Sequence, residues 1–173
     1  LEPETHYDFK IRSVNRDGVS DWASFGVETK TNPLEFAIKG IRGESSAPSQ
    51  EGFEVDRLFD WAETGDVWHS EYGKKAVPFD LIIDLHSFNQ LDKFHYLPRL
   101  DSGNGTILRG EVSYSLDKEH WTAVDSFAWK RNSDVKVFEF KDHPQARYIK
   151  LHVTEAAGNY GSGRELYVFK VPG

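Results

Sequence analysis

The sequence predicts an all-β domain, an antiparallel sandwich or jelly roll of about eight strands, and three observations carry that expectation. Short apolar runs, several of them alternating, recur at residues 78–85, 92–98, 110–115, 126–129, 135–139, 148–154 and 165–171. Turn-forming residues separate them, and no stretch carries the 3.6-residue period of a long amphipathic helix. Aromatic residues make up 14% of the chain, which suits a β core built from large rings or rings left exposed to stack on a ligand.

Residues 1–30 read as a hairpin. Alternation runs through Asp8-Phe9-Lys10-Ile11-Arg12-Ser13-Val14, the turn is Asn15-Arg16-Asp17-Gly18, and a second run covers 24–29. Leu1-x-Pro3-x-Thr5-x-Tyr7 ahead of the strand, and Asn15-x-Asp17-Gly18-x-Ser20 followed by Trp22, resemble the end of a fibronectin type III domain, with Tyr7 at its tyrosine corner. That resemblance implies the last two strands of a seven-stranded sandwich, so the chain is expected to begin inside a longer protein. Residues 31–35, with Thr31-Asn32-Pro33, form the expected linker, and residues 36–173 a fresh β domain. In it, Phe36-Ala37-Ile38 and Ile41 suggest an opening strand. The Ser- and Pro-rich 43–50 suggests a loop, 55–59 one helical turn, and 78–85 a central strand.

Between the helical turn and the central strand lies Phe59-Asp60-Trp61-Ala62-Glu63-Thr64-Gly65-Asp66-Val67-Trp68-His69-Ser70. Three carboxylates within seven residues, spaced by small ones, offer the oxygens that a hard cation needs from a tight loop. The same residues also suit a solvated acidic loop ahead of a core Trp.

Composition narrows the function classes. A net charge of -7 without a Lys/Arg run argues against nucleic acid or an anionic membrane as the main partner, since both need a basic face, and leaves room for local basic patches. The chain has no cysteine, hence no disulfide framework, thiolate metal site or thiol nucleophile. It carries no Gly-x-Ser-x-Gly elbow, His-Glu-x-x-His pair or phosphate loop, and its acidic residues suit a cation better than a pair of glycosidase carboxyls, so no catalytic role is expected.

Five motifs occur in a telling order: 60–70, Phe79-Asp80-Leu81-Ile82-Ile83-Asp84-Leu85, Tyr96-Leu97-Pro98-Arg99, Tyr114-Ser115-Leu116-Asp117-Lys118-Glu119-His120-Trp121, and Ala146-Arg147-Tyr148-Ile149-Lys150-Leu151. Together they resemble the discoidin or coagulation-factor 5/8 C-terminal domain, and within it the bacterial carbohydrate-binding modules of family 32. The resemblance implies a discoidin-like jelly roll in which Trp121 closes a hairpin turn onto the core and Arg147 finds an internal ion-pair partner. It also implies a structural calcium held by Asp60, Asp66 and Glu165 with backbone oxygens of Arg57, Glu63 and Arg164. Trp61 stands where the family places Gly, the loop is one residue longer, and Asp66 replaces the usual Thr.

For a sugar, the resemblance implies His69, Arg99, Asn104 and Glu51 as polar contacts and Tyr160 as the stacking ring, with Trp129 a second candidate. Such a domain is expected to be a monomeric bacterial module that is secreted, periplasmic or on the cell surface. It would target a glycoside hydrolase of hexosaminidase or chitobiase type to glycans ending in galactose, N-acetylgalactosamine or N-acetylglucosamine. A discoidin module for protein or membrane adhesion is the alternative; the polar loops 43–54 and 101–106 argue against membrane insertion.

Overall fold

Alternation sets the faces of the first hairpin. In the computed structural model, which describes all 173 residues, the chain forms two compact units, Leu1–Glu35 and Phe36–Gly173. The first contains β1 (His6–Ile11), β2 (Val14–Asn15), β3 (Gly18–Val19) and β4 (Ala23–Glu28), with β1 antiparallel to β4 and β2 to β3. Phe9 lies opposite Phe25 and Tyr7 opposite Val27, so one face is apolar, and the Phe9 and Phe25 rings stack at 5.4 Å. The Tyr7 hydroxyl accepts the amide of Glu2 at 2.7 Å.

The second unit holds β5 (Arg42–Ser45), a 3-10 turn (Val55–Phe59), β6 (Trp68–His69), β7 (Phe79–Leu97), β8 (Ile107–Ser115), β9 (Thr122–Ala128), β10 (Lys136–Glu139), β11 (Gln145–Ala156), a second 3-10 turn (Ala157–Asn159), β12 (Ser162–Gly163) and β13 (Glu165–Lys170). One layer runs β5, β7, β11, β8, β9; the other is β10, β7, β13. β7 serves both. Its first half pairs with β5 and β11, and its last residues pair with β10 and β13.

Side chains alternate accordingly. Phe79, Leu81, Ile83 and Leu85 enter one core together with Phe94 and Tyr96, Ile149, Leu151 and Val153, and Leu166 and Val168. Each such side chain removed from water contributes about 1.5–3 kcal/mol. Arg147 Nε meets Asp84 at 3.2 Å, and that pair holds the carboxyl of Asp84 below its ordinary value against the opposing effect of burial.

Three details depart from the sequence expectation. The predicted strands 78–85 and 92–98 are one strand, bent where His86 takes φ 61° and Phe88 is exposed; these corner residues face neither layer, so their pattern hides the continuity. The opening strand lies at Arg42–Ser45 rather than over 36–41, where Ala37 only bridges to Phe169. It is an edge strand with little apolar signal, and Gly43 is required there because a Cβ would meet the Phe59 ring at 2.3 Å. Trp121 is half-buried beneath the ammonium of Lys150, 4.3 Å from its ring, while the turn before it is fastened by Asp117, which accepts the amides of Glu119 and His120.

Candidate functional site

A two-residue ladder joins the acidic stretch to the chain's Gly-rich loop. β6 pairs with β12, His69 opposite Ser162 and Trp68 opposite Gly163. Alternation then separates two neighbours: Trp68 is fully buried, edge-on to Phe79 at 5.8 Å, with Nε1 donating to Ser49 Oγ at 3.2 Å. His69 points the other way, against the rings of Tyr72 (4.8 Å) and Tyr160 (5.4 Å).

On the near side of the ladder the acidic loop folds over Glu165, the first residue of β13. The amide of Ala62 donates to Asp60 Oδ1 at 2.9 Å and to Glu165 Oε1 at 2.7 Å. Glu165 is fully buried and its Oε2 has no hydrogen-bond partner. Burial first, and the neighbouring Asp60 carboxyl second, push the Glu165 carboxyl up to about 8.

Nearby groups brace this loop. The Arg57 guanidinium lies 3.9 Å from Asp60 and 3.8 Å from Asp66, Arg164 Nε donates to the Pro98 carbonyl at 2.7 Å, and Glu63 accepts the Tyr167 hydroxyl at 2.9 Å. Trp61 adopts φ 64°, the left-handed conformation natural to the glycine it replaces, and its ring rests edge-on against Tyr167 at 5.3 Å. The turn therefore keeps the shape a glycine would give it.

On the far side lies a recess of about 530 Å³, lined by His69, Tyr72, Arg99, Asn104, Arg131 and Tyr160, with Asp101 and Gly103 at its edge. Bonds behind the recess hold the His69 ring, the Arg99 guanidinium and the Asn104 backbone. His69 Nδ1 donates to the Ser70 carbonyl at 2.6 Å, which leaves Nε2 as the acceptor nitrogen. Arg99 forks onto Asp101 through Nε at 3.1 Å and an Nη at 2.7 Å, and Asp101 also caps its own loop by accepting the amide of Gly103. The Asn104 carbonyl accepts Ser162 Oγ at 2.9 Å. Behind it Gly158, at φ 63°, leaves room for the Asn104 side chain, whose Oδ1 a Cβ would meet at 2.5 Å. Rings and planar polar groups thus converge, as recognition of a pyranose demands: an apolar face to stack on and hydroxyl edges to bridge.

The residues anticipated from sequence divide in two. His69, Arg99, Asn104 and Tyr160 meet in the recess, whereas Glu51 is exposed and does not line it. Trp129 packs against Phe127 at 4.0 Å and Tyr96 at 5.9 Å, beside the core and away from the recess. In the acidic loop Asp60 and Glu165 meet on one amide, Arg57 brings its guanidinium to Asp60 and Asp66, and the Glu63 carbonyl accepts an Nη of Arg164 at 3.4 Å. Tyr72, Asp101 and Arg131 were not anticipated. The two-residue spacing of Arg99 and Asp101 could have suggested their pairing; Arg131 comes from a loop with no motif to mark it.

Residues 42–166 match the F5/8 type C domain family. The chain belongs to that family. As an F5/8 type C domain it superposes on CBM32-1 of a family 31 glycoside hydrolase from Clostridium perfringens, with TM-score 0.72 and 26% identity over 80% of this chain and 100% of the other. The C. perfringens module CpGH89CBM32-5, solved with GalNAc-β-1,3-galactose, gives TM-score 0.70 and 25% identity over 77% and 99% of the two chains. The family 32 module of C. perfringens NanJ, solved with galactose, shares the fold at TM-score 0.70 and 24% identity over 78% and 98%. This F5/8 type C domain is accordingly a binding module and not a catalytic domain. None of its helices is long and apolar enough to cross a membrane.

Proposed function

We propose that the domain is a carbohydrate-binding module that takes the terminal sugar of a glycan in the recess at His69. The observation that carries this reading is the convergence of His69, Arg99, Asn104 and Tyr160, separated by up to ninety-one positions in sequence, on one open recess with His69 and Arg99 preset from behind. Galactose, N-acetylgalactosamine and N-acetylglucosamine are the sugars to test first. His69 Nε2 and the Arg99 Nη hydrogens that Asp101 leaves free would hold hydroxyls, and the Tyr160 ring would face the apolar side of the pyranose. The similarity to modules of glycoside hydrolases supports a role in holding a larger secreted hydrolase on its glycan, where tethering raises the local concentration of catalyst.

A structural calcium belongs to the same proposal. Its support is the unpartnered Oε2 of a fully buried Glu165 beside Asp60, a donor set of hard oxygens that suits Ca²⁺. Asp60 and Glu165 would hold the ion with backbone oxygens of the loop, and its charge would offset the repulsion between the two carboxyls. For residues 1–30, the Tyr7 hydroxyl bond to Glu2 supports the fibronectin type III reading.

A glycan array probed with the wild-type chain and with Arg99→Ala tests the function. Retention of wild type on galactose- or hexosamine-terminated glycans, lost in the variant, is expected. A folded wild type that binds no glycan, or an Arg99→Ala chain that binds as well as wild type, would overturn the assignment, and a liposome pull-down would then decide for the adhesion alternative.

A further inference from the structure

Arg131 is the charge in the recess that the neutral-sugar reading leaves without a task. It arrives on the loop between β9 and β10, far in sequence from the other lining residues, and its Nε donates to the Ser102 carbonyl at 2.9 Å. That bond pins the guanidinium across to the Asp101–Gly105 turn while its two Nη groups make no hydrogen bond and meet no carboxylate within ion-pair reach. Arg99, by contrast, is already matched by the bidentate contact with Asp101. Pairing these two leaves the recess with one unbalanced positive charge, in a chain whose net charge is -7.

A neutral pyranose gives such a group no counter-charge. The planar fork of arginine matches a carboxylate or sulfate by two parallel hydrogen bonds, and a guanidinium already fixed through Nε loses little freedom on making them. The chain's overall negative charge does not forbid this, because fields of distant surface charges fade over about 8 Å at physiological salt while the contact itself is direct.

We infer that the recess selects a terminal sugar bearing an anionic group, a carboxylate or a sulfate, and that Arg131 is the residue that reads the anion. This rests on the sugar-binding reading above. Arg131 therefore sets specificity, while His69, Arg99, Asn104 and Tyr160 hold the pyranose that any ligand would share.

Calorimetric titration of the full chain with methyl galactoside, methyl galacturonide, galactose 6-sulfate and galactose 3-sulfate tests it. At least one anionic sugar should bind about tenfold or more tighter than the neutral one, the gain expected of a charge-assisted bidentate contact. Which of the three gains most tells carboxylate from sulfate and places the anion on the ring. In Arg131→Gln the ratio of anionic to neutral affinity should fall about tenfold, and in wild type it should shrink as salt rises from about 0.05 to about 0.5 M. Equal affinities in wild type, or a ratio that survives Arg131→Gln, would overturn the inference and leave sugar binding standing. Failure of all four sugars to bind would overturn the inference, and failure of N-acetylgalactosamine and N-acetylglucosamine as well would overturn the sugar-binding reading along with it.

Discussion

The two sides of the β6–β12 ladder use polar groups in opposite ways. Around Glu165 one carboxylate is buried beneath the exposed Asp60, Glu63 and Asp66, and one of its oxygens has nothing to bond. Around the buried His69 the polar groups are fastened from behind to Ser70, Asp101 and Ser102, and line the recess with their other edges. A buried unpartnered acceptor destabilises the fold until something supplies the missing partner, whereas preset outward donors and acceptors cost the fold little and lower the ordering cost of binding a ligand. The near side is therefore read as a stability site, and the far side as a recognition site.

Perturbing one side at a time sharpens that contrast. The largest effect is expected where the two share a support: Trp68→Ala removes the fully buried ring behind the ladder and should cost about 3–5 kcal/mol in urea unfolding, taking both regions with it. Next comes the metal. Calcium at about a hundredfold excess over its Kd should add about 2.7 kcal/mol to wild-type stability, and Glu165→Gln should lose that gain while sugar affinity at low temperature persists. Loss of sugar affinity in step with stability would break the division of labour.

Arg99→Ala should do the converse. Its ion pair with Asp101 is part-exposed, the carboxylate more so than the guanidinium, so stability should move by about 1 kcal/mol or less while sugar affinity falls about tenfold or more. A smaller effect concerns pH. With Glu165 held near 8, above its ordinary 4.5, the folded chain keeps a proton that the unfolded chain has released. Stability of the cation-free protein should therefore fall as pH rises from about 4.5 to about 8, and saturating calcium should flatten the slope; urea midpoints across that range measure both. Glu51→Ala should change affinity by less than about twofold, since Glu51 stands outside the recess.

Much of this was legible because the motifs are local. Apolar patterning located β8 and β11, which bury inward positions along their length, a continuous apolar run buried on both faces located β13, and the order of the motifs pointed to His69, Arg99, Asn104 and Tyr160 as a group. Where the backbone turns a corner, alternation stops carrying information, and the unity of β7 across His86 was lost for that reason. Edge strand β5, with Arg42, Gly43, Glu44 and Ser45, has no apolar face to betray it. Trp61 looked like the residue most able to spoil the acidic turn; tertiary packing on Tyr167 lets it hold a glycine's conformation, which no one-dimensional pattern encodes. Arg131 reaches the recess by a long-range bond to a backbone carbonyl, an interaction that leaves no sequence signature.

The most direct test of the central claim is an NMR titration of the amide-labelled chain with a ligand sugar. Saturable shifts are expected at His69, Arg99, Asn104 and Tyr160, with Asp60 and Ala62 responding instead to calcium. Shifts confined elsewhere, such as the cleft between β9 and β10 floored by Phe127 and Phe138, would contradict it.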